Sequence, residues 1–124
     1  MSKALVVDDS RAMRMVLSRT LAQLGIQVEQ AGNGQEALQF MERDGASLDF
    51  ALVDWNMPEM TGIQFVEQVR ARPAFRSVRL VMVTTETEIS QMARALEAGA
   101  DEYVMKPFTR DVIEGKLRLL GVLS

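Results

Sequence analysis

The chain has 124 residues, 48% of them apolar, and a formal net charge of −3. That is enough length for one domain with a real core, and the charge gives no general attraction to nucleic acid or anionic membrane. Cysteine and histidine are both absent, which removes disulfides, thiolate nucleophiles, Ser–His catalysis and imidazole metal sites. Asp, Glu, Lys, Ser and Thr are left to do any chemistry.

Met1-Ser2-Lys3 runs straight into Ala4–Val7, a short, continuously apolar segment that reads as a strand buried on both faces. Met13, Val16, Leu17, Thr20, Leu21 and Leu24 then recur at helical spacing, and Gly25 suits the stop. Ile26–Ala31 is less apolar, as an edge strand would be. Asn33-Gly34-Gln35-Glu36 has the form of a capping box, and the helix it opens carries Ala37, Leu38 and Met41 inward and ends before Gly45.

Phe50–Val53 is the next buried strand, and a loop with Pro58 and Gly62 follows it. Met57 and Met60 flank this loop, where exposure would suit a partner. Ile63, Val66 and Val69 mark a short helix that Pro73 breaks. Arg70, Arg72, Arg76 and Arg79 crowd the connection and read as a solvated rim. Leu80–Val83 is a further buried strand. Ile89, Met92, Ala93 and Leu96 give a helical face closed by Gly99. Tyr103–Met105 is a shorter strand, and Thr109 can cap a last helix with Val112, Ile113, Leu117 and Leu120 facing in.

No linker, repeat or composition shift divides residues 1–124, so a single domain is expected. Neither a signal peptide nor a bilayer-length apolar run is visible, so the expectation is a cytoplasmic protein without membrane insertion. Five β-α units in succession predict an α/β fold: a parallel sheet with helices on both faces. The three most apolar runs, the first, third and fourth, belong in its middle. In such sheets ligands bind beyond the carboxyl ends of the strands, where the order reverses. Asp8, Asp9, Asp54, Thr84 and Lys106 all fall at carboxyl ends. Three carboxylates, a hydroxyl and an ammonium in one crevice suit a metal ion and a phosphoryl group. Taken singly, Asp8 and Asp9 would pass for helix caps, Asp54 for a turn residue and Tyr103 for a half-buried strand aromatic.

Four segments in order carry a stronger signal: Val7-Asp8-Asp9-Ser10; Asp54-Trp55-Asn56-Met57-Pro58 with Gly62; Val83-Thr84-Thr85-Glu86; and Tyr103-Val104-Met105-Lys106-Pro107-Phe108. Across nearly its whole length the chain resembles the response-regulator receiver domains, above all the stand-alone regulators of chemotaxis. The resemblance implies a flavodoxin-like doubly wound (βα)5 fold with strand order 2-1-3-4-5. It implies a two-component switch in which Asp54 accepts a phosphoryl group from a histidine kinase with Mg²⁺ as cofactor.

Asp8, Asp9, Asp54 and the backbone carbonyl of Asn56 would serve the metal, with Asp8 acting through a bound water. Thr84 would hydrogen-bond the phosphoryl group, and Lys106 would pair with it from a cis Lys106–Pro107 bond. Thr84 and Tyr103 would form the switch that alters the surface of helix four, strand five and helix five. Asn56 and Glu86 would tune dephosphorylation. Arg11 and Arg14 stand where the family meets its kinase.

The implied partners are the kinase and a downstream protein, either a flagellar switch or a histidine phosphotransfer protein, met by a monomer. The alternatives are a phosphorelay intermediate and a receiver excised from a larger regulator. Glu88 and Ile89 replace expected lysines and weigh against the flagellar motor. An FMN-binding electron carrier needs an uncharged phosphate-cradling first loop, which Asp8-Asp9-Ser10-Arg11 is not. A phosphatase of the haloacid-dehalogenase kind needs an aspartate where Asn56 stands. The expectation is therefore a signalling receiver, limited to its own phosphorylation and slow dephosphorylation.

Overall fold

Strands and helices alternate because the apolar runs are short and closed by turn residues, while helices open on the side-chain caps Ser10, Asn33, Thr61 and Thr109. The structure, a computed structural model, describes residues 2–85 and 90–123. In chain order the elements are β1 (Lys3–Val7), α1 (Arg11–Gln23), β2 (Gln27–Ala31), α2 (Gly34–Asp44), β3 (Phe50–Asp54), α3 (Gly62–Arg70), β4 (Arg79–Thr84), α4 (Met92–Ala98), β5 (Glu102–Met105) and α5 (Arg110–Leu119). All strand pairs are parallel and the order is β2-β1-β3-β4-β5, the doubly wound arrangement expected. The three most apolar strands occupy the middle and are buried on both faces, while β2 and β5 form the edges.

Alternation along the strands divides the core in two. Leu5, Val7, Ala51, Val53, Leu80 and Met82 face α2, α3 and α4. Ala4, Val6, Phe50, Leu52, Val81 and Val83 face α1 and α5. Helices α1 and α5 share one sheet face, so each needs only a narrow stripe: Leu17 with Leu21, and Ile113 with Leu117. Val16 and Val112, expected inward, are consequently 51% and 45% exposed. On α4 the buried pair is Met92 and Ala95 rather than Ala93 and Leu96; Ile89 lies outside the described residues. Phe40 joins Ala37 and Met41 in the core. Met57 is buried there too, and Met60 packs half-buried at its margin, so neither forms the exposed pair anticipated for a partner.

The caps follow the expected logic with one displacement. Asn33 accepts the Glu36 N–H at 2.8 Å, but the Glu36 carboxylate reaches past Asn33 to the Gly32 N–H at 3.0 Å. The full reciprocal box forms instead at α3, between Thr61 and Gln64. Gly25 and Gly99 close α1 and α4 with φ of 81° and 124°.

The arginine-rich connection is only partly a solvated rim. Arg70 donates to the carbonyls of Gly99 and Phe75 and to the Asp101 carboxylate at 2.7 Å. Asp101 in turn accepts the N–H of Leu80 at 2.8 Å. This network ties the end of α3 to the α4–β5 turn and the start of β4.

Candidate functional site

Two strand ends meet where the order reverses, between β1 and β3. Asp8 continues the β1 ladder, its N–H donating to the Ala31 carbonyl at 3.1 Å. Its side chain is buried; Oδ1 accepts the Ser10 N–H at 2.8 Å, and Oδ2 is buried with no hydrogen-bond partner among the described residues. Asp9, next in the chain, is exposed. Asp54 ends β3 and is 7% exposed. One oxygen from each of Asp8, Asp9 and Asp54 lies within 4.8 Å of the others.

Lys106 approaches from the far side. Its N–H donates to the Thr84 carbonyl at 2.6 Å, which anchors the residue beyond β4. Its Nζ donates to Asp54 Oδ1 at 3.1 Å. The Lys106–Pro107 bond is cis, as expected.

Burial and the neighbouring Asp8 charge push the Asp54 carboxyl up to about 6, against the opposing pull of Lys106. Burial also raises Asp8, opposed by the hydrogen bond from Ser10. An acid cluster of this kind is unfavourable by itself. The unpartnered Asp8 oxygen, the crowded carboxylates and the all-oxygen donor set fit a hard divalent cation such as Mg²⁺.

Of the other expected residues, Thr84 ends β4 fully buried, its hydroxyl donating to the Thr85 carbonyl at 3.3 Å. The Asn56 side is exposed. Tyr103 pairs with Met82 across β4 and β5, two positions short of Thr84. Its ring packs against the α2/α3/α4 side of the core, with Lys116 Nζ 4.3 Å from its centroid. Glu86 and Glu88 lie outside the described residues.

Arg14 donates from Nη1 to the Asp8 carbonyl at 2.6 Å, holding the acidic loop against α1. Its position one turn into a helix capped by Ser10 was the available signal. Glu59 was missed altogether; it holds φ of 69° in the loop beside the site, a conformation that side chains other than glycine rarely adopt. No helix among the described residues is long and apolar enough to cross a membrane.

The family model described as "Response regulator receiver domain" matches residues 4–118. Chemotaxis protein CheY1 of Helicobacter pylori (strain J99) is 40% identical over 119 residues, covering 95% of both chains. The chemotaxis protein CheY homolog of Campylobacter jejuni (serotype O:23/36) is 40% identical over 124 residues, covering 98% of this chain and 95% of the other. Among solved structures, chemotaxis protein CheY4 of Vibrio cholerae superposes with a TM-score of 0.88 at 36% identity, covering 97% of this chain and 98% of that one. Sequence, topology and the acidic crevice thus agree that this chain belongs to the response regulator receiver domain family.

Proposed function

We propose that residues 1–124 act as one receiver unit whose Asp54 accepts a phosphoryl group from the phosphohistidine of a kinase. The observation that carries the reading is the arrangement at Asp54: a buried carboxylate flanked by two others and capped by a lysine at 3.1 Å. Asp54 attacks phosphorus, a P–O bond forms, and the P–N bond to the donor imidazole breaks. Its raised proton affinity still leaves it mainly ionised at neutral pH, so the nucleophile is available.

Asp8, Asp9, Asp54 and the Asn56 carbonyl would hold Mg²⁺, which when bound supplies the positive charge that lets an anion approach three carboxylates. Lys106 neutralises the incoming oxygens from the opposite side, and the Thr84 hydroxyl donates to one of them. Drawing Thr84 toward the phosphoryl group vacates space that Tyr103 turns into, which changes the α4/β5/α5 surface offered to a protein target. Asn56 and Glu86, at the positions that tune dephosphorylation in the family, would set the lifetime of the acyl phosphate.

The similarity to CheY-named relatives favours chemotaxis as the pathway; the reading takes a monomer as the working form and, at a net charge of −3, a downstream protein rather than nucleic acid as the target. Brief incubation with acetyl phosphate and Mg²⁺, followed by intact-mass measurement, tests the chemistry. One added phosphoryl group, absent from Asp54→Asn and from samples with excess EDTA, is expected. An unchanged mass in the wild-type chain, together with no spectral response to beryllofluoride, would remove the proposal. Pull-down with and without beryllofluoride then identifies the target.

A further inference from the structure

Lys116 and Tyr103 reach each other around the open edge of the sheet. Val104 is buried beneath α1 and α5, so its neighbour Tyr103 faces the opposite side, where its ring packs against the α2/α3/α4 core. Lys116 sits on α5, on the side of Val104. Its stem nonetheless brings Nζ over the Tyr103 ring, 4.3 Å from the centroid. Glu102 fixes the ammonium in that place: Oε1 accepts from Lys116 Nζ at 3.1 Å and from the Tyr103 backbone N–H at 3.0 Å. The Lys116 and Glu102 side chains are only 25% and 22% exposed, so this is a half-buried arrangement rather than a freely solvated pair.

We propose that Lys116 is a positioning residue for Tyr103: a cationic strap across the free edge of β5, anchored by Glu102, that holds the ring where it stands and so sets how readily it responds to the state of Asp54. The inference rests on the reading of Tyr103 as the aromatic that responds. An ammonium above an aromatic face is attracted by the ring quadrupole. Turning the ring toward Thr84 takes that face away from a lysine that Glu102 keeps at the edge. The contact therefore favours the present position. At its strength for a partly exposed site the bias is about two- to five-fold in the equilibrium.

The chain contains one tyrosine and one tryptophan, which makes the test direct. Biosynthetic fluorotyrosine gives a single ¹⁹F resonance from Tyr103, and Trp55 fluorescence reports loading with Mg²⁺ and beryllofluoride separately. Lys116→Met keeps an aliphatic stem and removes the charge. Before loading it is expected to move and sharpen the resonance, and to lower the beryllofluoride midpoint read at Tyr103 about two- to five-fold. Lys116→Arg, which restores a cation, is expected to return both toward wild type. Glu102→Gln leaves the lysine charge in place but untethers it, so a resonance shifted in the direction of Lys116→Met reports position rather than field. A Lys116→Met resonance coincident with wild type before loading, with an unchanged midpoint, overturns the strap. A wild-type resonance that ignores beryllofluoride while Trp55 responds removes Tyr103 as the responder; the unloaded Lys116→Met spectrum still decides the strap.

Discussion

At the scale of single residues the controlling fact is that Asp54 holds its proton more tightly in the folded chain than its ordinary value near 3.8, up to about 6. Between about pH 4 and 6 the folded state therefore binds a proton that the unfolded state has released. Metal-free stability must fall as pH rises through that window and level off above it, by up to roughly 3 kcal/mol for a shift of this size. Urea melts in EDTA from pH 4 to 8 check the sign; a curve that climbs across pH 4 to 6 would contradict it. Asp8 is the neighbour whose charge adds to this cost. Asp8→Asn keeps an oxygen for the Ser10 N–H while removing the charge, so it is expected to stabilise the metal-free protein at pH 7 by about 1 kcal/mol and to weaken Mg²⁺ binding. The same melts and a Mg²⁺ titration measure both. These carboxylates were legible in the sequence because each is the first polar residue after an apolar strand, and such positions gather at one sheet edge. Glu59 and Lys116 were not. What matters for each is a contact made around a helix or an edge, or a backbone dihedral, and neither leaves a periodic trace.

At the scale of elements, the start of α3 is fixed by Gly62. A Cβ there would lie 2.5 Å from the Asp54 carbonyl oxygen and 2.7 Å from Met82 Cε. The first is backbone of a buried strand rather than the tip of a flexible side chain, so α3 or the end of β3 must move. Gly62→Ala is expected to cost about 2–3 kcal/mol and to slow phosphorylation from acetyl phosphate, because the displaced atoms belong to the acceptor residue. A melt paired with a phosphorylation time course reads this out, and an alanine variant with wild-type stability and rate would show that the segment has slack. Strand identities and the choice of central strands were readable because continuous apolar runs of four or five residues suit a doubly covered sheet; the full order came with the family resemblance. Which helical residue turns inward was less so. Val16 and Val112 satisfy a 3.6-residue period, yet the shared sheet face needs only the Leu17–Leu21 and Ile113–Leu117 stripes. Periodicity gives the helix but not the width of its neighbour.

At the scale of the whole molecule, the site and the fold draw on the same strands. β1 and β3, which carry Asp8, Asp9 and Asp54 at their ends, are also the strands buried between both cores. Carboxyl repulsion therefore pushes directly on the centre of the sheet, and a ligand that relieves it must stabilise the entire domain. A cation that binds only the folded chain adds about 2.7 kcal/mol at a hundred times its Kd. For a domain of this length that is a rise in Tm on the order of 10 °C. The gain is expected to be large at pH 7 and to shrink toward pH 5, because protons compete for the carboxylates whose affinity for them burial has raised. It is expected to be much smaller in Asp8→Asn, which removes one of the three charges. Thermal melts across a Mg²⁺ titration at the two pH values, with matched ionic strength so that general screening is held constant, separate site binding from bulk salt. Equal gains at pH 5 and pH 7, or in wild type and Asp8→Asn, would mean that the ion stabilises the protein somewhere other than the acidic crevice.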